Sequence, residues 1–179
     1  MENLNDILHN DSNAQTKQFK KGTILQSEGE VTSNAFFVKK GLLRSYTIDS
    51  KGKEHIFMFA PEGWLVADIE SQEFEYPAEL FIDCLEDSEI TVFNRKSLLQ
   101  VDLSSDQLKK NVQMLARRVG VLQRRVIMLM SSPASERYAY FLETYPLLSN
   151  RVPQRMIASY LGITPEALSK IRSRIAKSI

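Results

Sequence analysis

Near the C-terminus, Glu166, Ser169, Lys170 and Ser173 recur at the spacing of a single helical face. Glutamate accepts hydrogen bonds, lysine donates them and serine does both, so such a face can address base edges. Glutamate can accept from cytosine N4, and lysine can donate to guanine O6 or N7. Arg172 and Arg174 flank it. The opposite side of the same segment carries Leu168, Ile171 and Ile175, an inward stripe. Thr164 is the expected N-cap and Pro165 the first helical residue. Upstream, Pro153 opens a shorter helix whose buried side is Ile157 and Leu161, with Ala158 small enough for a second helix to cross closely. Gly162 supplies the positive φ that a tight turn between the two helices needs, and Ile163 plugs their interface. Gln154 and Arg155, at the start of the first helix, are placed for phosphates.

Other chemistries find little support. His9 and His55 stand far apart with no His-x-His pair, and neither follows a nucleophile-like turn, so no metal site, haem ligand or Ser/His/Asp set is expected. Cys84 is the one cysteine, which rules out an internal disulfide and an iron–sulfur cluster held by this chain. A cupin-type enzyme, which also begins with a small β-barrel, lacks its first shell of ligands here.

The elements that must position the polar face differ sharply in charge. Residues 1–103 carry 10 Lys and Arg against 18 Asp and Glu, whereas residues 104–179 carry 13 against 4. A basic half beside an acidic half points to a polyanionic partner for the basic one, because cations that neutralise phosphates release condensed counterions. Apolar runs fall short of the roughly 18 residues a membrane span needs, and residues 1–17 have no secretory pattern, so a soluble cytoplasmic protein is expected.

A long helix is predicted to begin at Ser104, with Gln107 completing a capping box. Leu108, Val112, Leu115, Val119, Leu122, Val126 and Leu129 then alternate at spacings of 4 and 3, with valine at every a position and leucine at every d. That heptad favours a parallel two-stranded coiled coil, so a homodimer through residues 104–130 is expected. Gly120, off the seam, weakens the helix by about 1 kcal/mol relative to alanine. Ser131-Ser132-Pro133 interrupts the pattern as a hinge, with Ser132 as N-cap and Pro133 as the first residue of a helix whose Tyr138, Phe141, Leu142 and Tyr145 are core and which Pro146 stops. Ahead of Ser104, short strands are predicted at 23–25, 35–38, 42–48, 55–59, 79–84 and 90–93, separated by turn signals such as Lys40-Gly41 and Pro61-Glu62-Gly63, the pattern of a β-sandwich or barrel. Residues 3–13 read as a short leading helix.

This order of elements resembles the Crp/Fnr family of bacterial regulators. The resemblance is strongest over Val152 to Ile171, and it extends to Phe19-x-x-Gly22-x-x-Leu25-x-x-x-Gly29-Glu30, Val38-x-x-Gly41-x-x-Arg44 and Pro61-x-Gly63. It implies an α+β fold in three parts: a double-stranded β-helix, or jelly-roll-like β-roll, over 1–103 as effector domain, a dimerisation helix over 104–130, and a winged-helix-like helix-turn-helix domain over 131–179. Only residues 176–179 follow the reading helix, too few for the family's wing. The family's partners, double-stranded DNA and RNA polymerase, are implied with it, and no membrane. Cyclic-nucleotide-binding members carry a Gly-Glu pair and then an Arg-Ser pair in the roll. Here Val66-Ala67 and Ala78-Glu79 stand instead, and Glu79 would repel a phosphate, as would the acidic stretch from Asp68 to Glu75. Cyclic AMP and cyclic GMP are therefore not expected, and no other effector is named by these residues. A competing reading, a dimeric ligand-binding or protein-interaction module that does not bind DNA, explains the roll and the seam but not the basic half or the polar helix face.

Overall fold

The computed structural model describes residues 15–31, 34–94 and 104–177, so the leading helix expected at 3–13 lies outside the described residues. The chain divides into two compact units, Met1–Leu103 and Ser104–Ile179.

The first unit is antiparallel β structure: β1 (Gln15–Phe19), β2 (Ile24–Gln26), β3 (Asn34–Lys40), β4 (Leu43–Ile48), β5 (Glu54–Ala60), β6 (Leu65–Val66), a short helix α1 (Ile69–Phe74), β7 (Phe81–Cys84) and β8 (Ser88–Asn94). Pairing is nested, with β1 on β8, β2 on β7, β3 on β6 and β4 on β5. It is the pattern of a long hairpin folded over on itself, and it yields two four-stranded sheets, β1-β8-β3-β6 and β2-β7-β4-β5, rather than one closed barrel. Phe36, Val38, Leu43, Ala60, Ile82, Cys84 and Ile90 form the core. The predicted strands are all present with shifts of one or two residues at their ends. Two strands and a helix were not expected: β1 is mostly exposed and β6 has only two residues, so neither carries an alternating pattern, and α1 lies in the acidic stretch.

Two features hold this unit together that apolar pattern alone does not reveal. Gly41, at φ +99°, turns the chain from β3 into β4 against Ser88, where an added Cβ would come within 2.8 Å of the Ser88 Cα. Only glycine fits that approach. Arg44, buried on β4, donates Nε and Nη2 to the two carboxylate oxygens of Asp83 on β7, each at 2.9 Å, and pairs with Glu54 on β5. Its guanidinium also lies 4.0 Å from the centre of the Tyr46 ring. Burial by itself would lower the Arg44 pKa, but hydrogen bonds and charge from Asp83 and Glu54 outweigh it and raise the value above the ordinary arginine range.

The second unit is helical: α2 (Ser105–Ser131), α3 (Ala134–Thr144), a 3-10 turn (Leu148–Asn150), α4 (Gln154–Leu161) and α5 (Pro165–Lys177). The capping box at the start of α2 forms as expected: the Gln107 N–H donates to Ser104 Oγ at 3.3 Å and the Ser104 N–H to Gln107 Oε1 at 2.9 Å. At the expected hinge the boundary falls one residue later than predicted. Ser132 closes α2, donating its N–H to the Met128 carbonyl, and Pro133 takes the N-cap position of α3. No helix among the described residues is long and apolar enough to cross a membrane.

Removing one partner of the Arg44–Asp83 pair leaves a buried charge poorly matched, because Glu54 is half in solvent. Asp83→Ala is expected to cost about 3 kcal/mol in urea-unfolding free energy, and the double substitution Arg44→Met with Asp83→Val to recover most of that. Equal stability of Asp83→Ala and the parent chain would show that the pair contributes nothing.

Candidate nucleic-acid interface

The pair α4 and α5 packs together and on α3, and the core beneath them is built from Phe141, Tyr145, Leu148, Ile157, Ala158, Tyr160, Leu161 and Leu168. Phe141 is wholly buried with its ring centre 5.5 Å from Tyr145 and 5.6 Å from Tyr160, and Tyr145 meets Tyr160 edge-on at 5.7 Å. Tilted and edge-on ring pairs of this kind fix one another's orientation. Leu168, on α5, is 0 % exposed. Ile171 is half-buried, but Ile175, expected to face inward, is exposed because α5 has by then run past the helices that would cover it.

The turn between the helices is the tight connection that the spacing predicted. Gly162 takes φ +66° and ψ +34°, its N–H returning to the last turn of α4. Ile163 donates to the Ala158 carbonyl at 3.0 Å. Thr164 then caps α5: its Oγ1 accepts from the Ala167 N–H at 3.2 Å. These bonds satisfy orphan backbone groups at both helix ends and hold α5 against α4.

With Leu168 turned inward, Glu166, Ser169, Lys170, Ser173 and Arg174 are exposed on α5, Arg172 is half-buried, and Thr164 is exposed at its start. Gln154 and Arg155 are exposed on the first turn of α4. Glu166 is held below the usual carboxylate range, first by its own backbone N–H, then by the Thr164 hydroxyl and the nearby Lys170 charge. At neutral pH it is therefore an acceptor only, as a contact to a cytosine amino group requires.

Seven seam residues were expected to share one face of α2. Leu108, Val112, Leu115, Val119, Leu122 and Val126 are exposed, between 43 % and 62 % of their surface. Leu129 is half-buried and sits at the Gly162 turn, where a Cβ on the glycine would be 3.7 Å from Leu129 Cδ2.

In the first unit the stretch that the resemblance aligns with a phosphate-binding segment is closed by its own side chain. Asp68, 5 % exposed, caps α1 by accepting from the Ser71 N–H at 3.2 Å, and its other oxygen accepts from the N–H groups of Glu79 and Leu80 at 2.9 and 3.0 Å. Val66 is buried in β6, Ala78 is buried, and the Glu79 side chain is exposed. A protein carboxylate already takes the backbone donors of this segment. The local signal for it, an aspartate three residues before a serine, is an ordinary helix cap and says nothing of the second contact. Among the described residues no group of three or more His, Cys, Asp or Glu is placed to hold a metal ion.

The sequence over residues 16–104 matches the model of the cyclic nucleotide-binding domain family. The chain is 26% identical to the fumarate and nitrate reduction regulatory protein of Yersinia pestis over 177 residues, covering 90% of this chain and 69% of that one. It is 28% identical over 179 residues to the protein of the same name from Escherichia coli K12, with the same coverage. Among solved structures it is similar to FixK2 from Bradyrhizobium japonicum, at TM-score 0.79 and 22% identity, covering 92% of this chain and 85% of that one. It is also similar to TTHA1359 from Thermus thermophilus, a transcriptional regulator of the CRP/FNR family, at TM-score 0.69 and 19% identity, covering 92% and 87%.

Because an alanine at 162 meets only ordinary contacts, its cost is the left-handed backbone alone. Gly162→Ala is expected to destabilise the helical unit by about 1–2 kcal/mol and Gly162→Asn by less, measured by thermal unfolding. Asparagine as costly as alanine would contradict this account of the turn.

Proposed function

We propose that this chain is a transcription regulator of the Crp/Fnr family and works as a homodimer that reads a two-fold site on double-stranded DNA through two copies of α5, a reading supported by its similarity to regulators of that family. The observation that carries this reading is the polarity of α5, with Leu168 wholly buried on one side and Glu166, Ser169, Lys170 and Ser173 exposed on the other. In a helix-turn-helix the N-terminal part of the second helix meets base edges in the major groove, so Glu166, Ser169 and Lys170 read sequence. Arg172 and Arg174 flank them, and Thr164, Gln154 and Arg155 contact the backbone.

The exposed stripe from Leu108 to Val126 on α2 supports the dimer. Six apolar side chains along one helix face lose their contact with water when two such helices associate, each contributing about 1 kcal/mol or more. With a two-fold axis along that seam, the expected separation of the reading helices is about one DNA turn, roughly 34 Å. RNA polymerase is the further partner that a promoter-bound regulator of this family addresses. Cyclic nucleotides do not fit the roll, because Asp68 occupies the donors and Glu79 stands where an anion would need a cation.

Three outcomes test this reading. Leu115→Glu with Leu122→Glu is expected to convert a dimer to a monomer in sedimentation equilibrium, and unchanged mass would remove the seam. In mobility shifts on the DNA upstream of its own gene, Glu166→Ala and Lys170→Ala are expected to relax base preference by about 1–3 kcal/mol at single positions. Arg155→Ala is expected to weaken binding to all sequences alike and to reduce the salt slope by about 1. No sequence-selective shift by the parent protein at low salt would overturn the DNA-reading role.

A further inference from the structure

We infer that Arg125 and Arg137 clamp the helix-turn-helix to the end of the long helix, so that α2 aims the reading helix and the Ser131–Pro133 break is not a free hinge. Arg125 projects from α2 and lays its guanidinium over the Tyr160 ring, 3.8 Å from the ring centre, while Nη2 donates to the Tyr160 carbonyl at 3.2 Å. Arg137, on α3, reaches in two directions. Its Nε donates to the carbonyl of Ser132, the residue that ends α2, at 2.9 Å, and its Nη1 donates to the carbonyl of Leu161, at the end of α4, also at 2.9 Å.

The acceptors have one thing in common. Ser132, Tyr160 and Leu161 all lie in the last turn or cap of a helix, where carbonyls lack intrahelical partners and the helix dipole is negative. A guanidinium is suited to such a place, because its donors form a fixed planar fork and its face stacks on an aromatic ring. The ring that receives Arg125 cannot swing away, since Tyr160 is buried against Phe141 and Tyr145. Leu129 of α2 closes on the same turn from another side, next to the Gly162 position at which Arg137 Nη1 would lie 3.5 Å from an added Cβ. Side chains from α2 and α3 thus converge on the residues that lead directly into α5.

Two consequences follow. Arg125 and Arg137 count toward the basic charge of residues 104–179, yet these donors point at carbonyls of the chain itself, so they are positioning residues and not phosphate ligands. Rotation of α2 about its axis is carried to α5 as one body, so the distance and phase between two reading helices in a dimer are set along the long helix.

The DNA readout presupposes the operator-binding reading above, and a distance readout on the free protein does not. Gly120→Cys and Ala176→Cys provide exposed sites for spin labels on α2 and α5, and native Cys84 stays unlabelled because burial pushes its thiol up to about 11. Labelled chain diluted into excess unlabelled chain gives one labelled protomer per dimer. A single narrow distance distribution is expected in the parent, and a broad one in Arg125→Ala with Arg137→Ala. An equally narrow distribution in that variant, or a broad one in the parent, would overturn the clamp. Should the double variant fail to fold, Arg125→Ala carries the test, since Arg125 lies on a largely solvated stretch of helix.

On DNA, Arg125→Ala is expected to lower operator affinity about tenfold, the scale of one lost charge-assisted hydrogen bond, at an unchanged salt slope. Its preference for the native half-site spacing over one lengthened by a base pair is expected to shrink, and Arg125→Lys, lacking the fork and the stacking face, is expected not to restore it. A salt slope reduced by about 1 with spacing preference intact would make Arg125 a phosphate ligand and sink the proposal. Narrow distances combined with no DNA binding by the parent would keep the clamp and remove the operator reading.

Discussion

The crossing of α4 and α5, with Leu168 sealed inside it, is the contact on which the rest of this protein depends. A buried leucine contributes about 1.5–3 kcal/mol, but its larger consequence is rotational. Once Leu168 is inside, the 100° advance per residue of an α-helix forces Glu166, Ser169 and Lys170 to the outside, and the Gly162 turn sets where α5 begins. The chemistry of the exposed face is a by-product of where the apolar residues must go.

A different constraint governs the long helix. Its apolar stripe meets no covering element within its own compact unit over most of its length, and its N-terminus is well capped without help. A helix of that kind is suited to an interface, and the spacing of 4 and 3 fits the two-stranded association proposed above. The end of the helix behaves otherwise, since Met128 is buried and Leu129 lies beside the Gly162 turn. The stripe therefore passes from exposed to covered within one heptad, between Leu122 and Leu129.

In the first unit, buried polar side chains tie separate backbone segments together. Asp68 collects three backbone N–H groups around α1, and Arg44 joins three strands by binding Asp83 and Glu54. Buried charges at this level of satisfaction specify one arrangement of the backbone, because any slip leaves a desolvated charge unpaired.

Periodicity and turn chemistry in the sequence were sufficient for most elements: alternation and glycine turns for six strands, a heptad and capping box for α2, and Pro, Gly and Thr for the boundaries of α4 and α5. They failed where no period exists, at the exposed β1, the two-residue β6 and the acidic α1. The polar face was legible because it is local, four residues spaced along one helix. Ile175 was misplaced because inward and outward at a helix end depend on how far the neighbouring helices extend. The nested strand pairing, the second contact of Asp68 and the arginine clamp join residues far apart in the chain, and no spacing rule encodes them. Arg125 shows the difference best: by sequence it is one residue before a seam valine, a place for charge facing a partner helix, and only the packing of Tyr160 beneath it turns that charge toward its own chain. Local hydrogen bonds and helical phase are properties of neighbouring residues, which the sequence states outright. Which carbonyl a long, flexible guanidinium finally reaches is decided by the buried rings and helix ends that tertiary packing brings within its range.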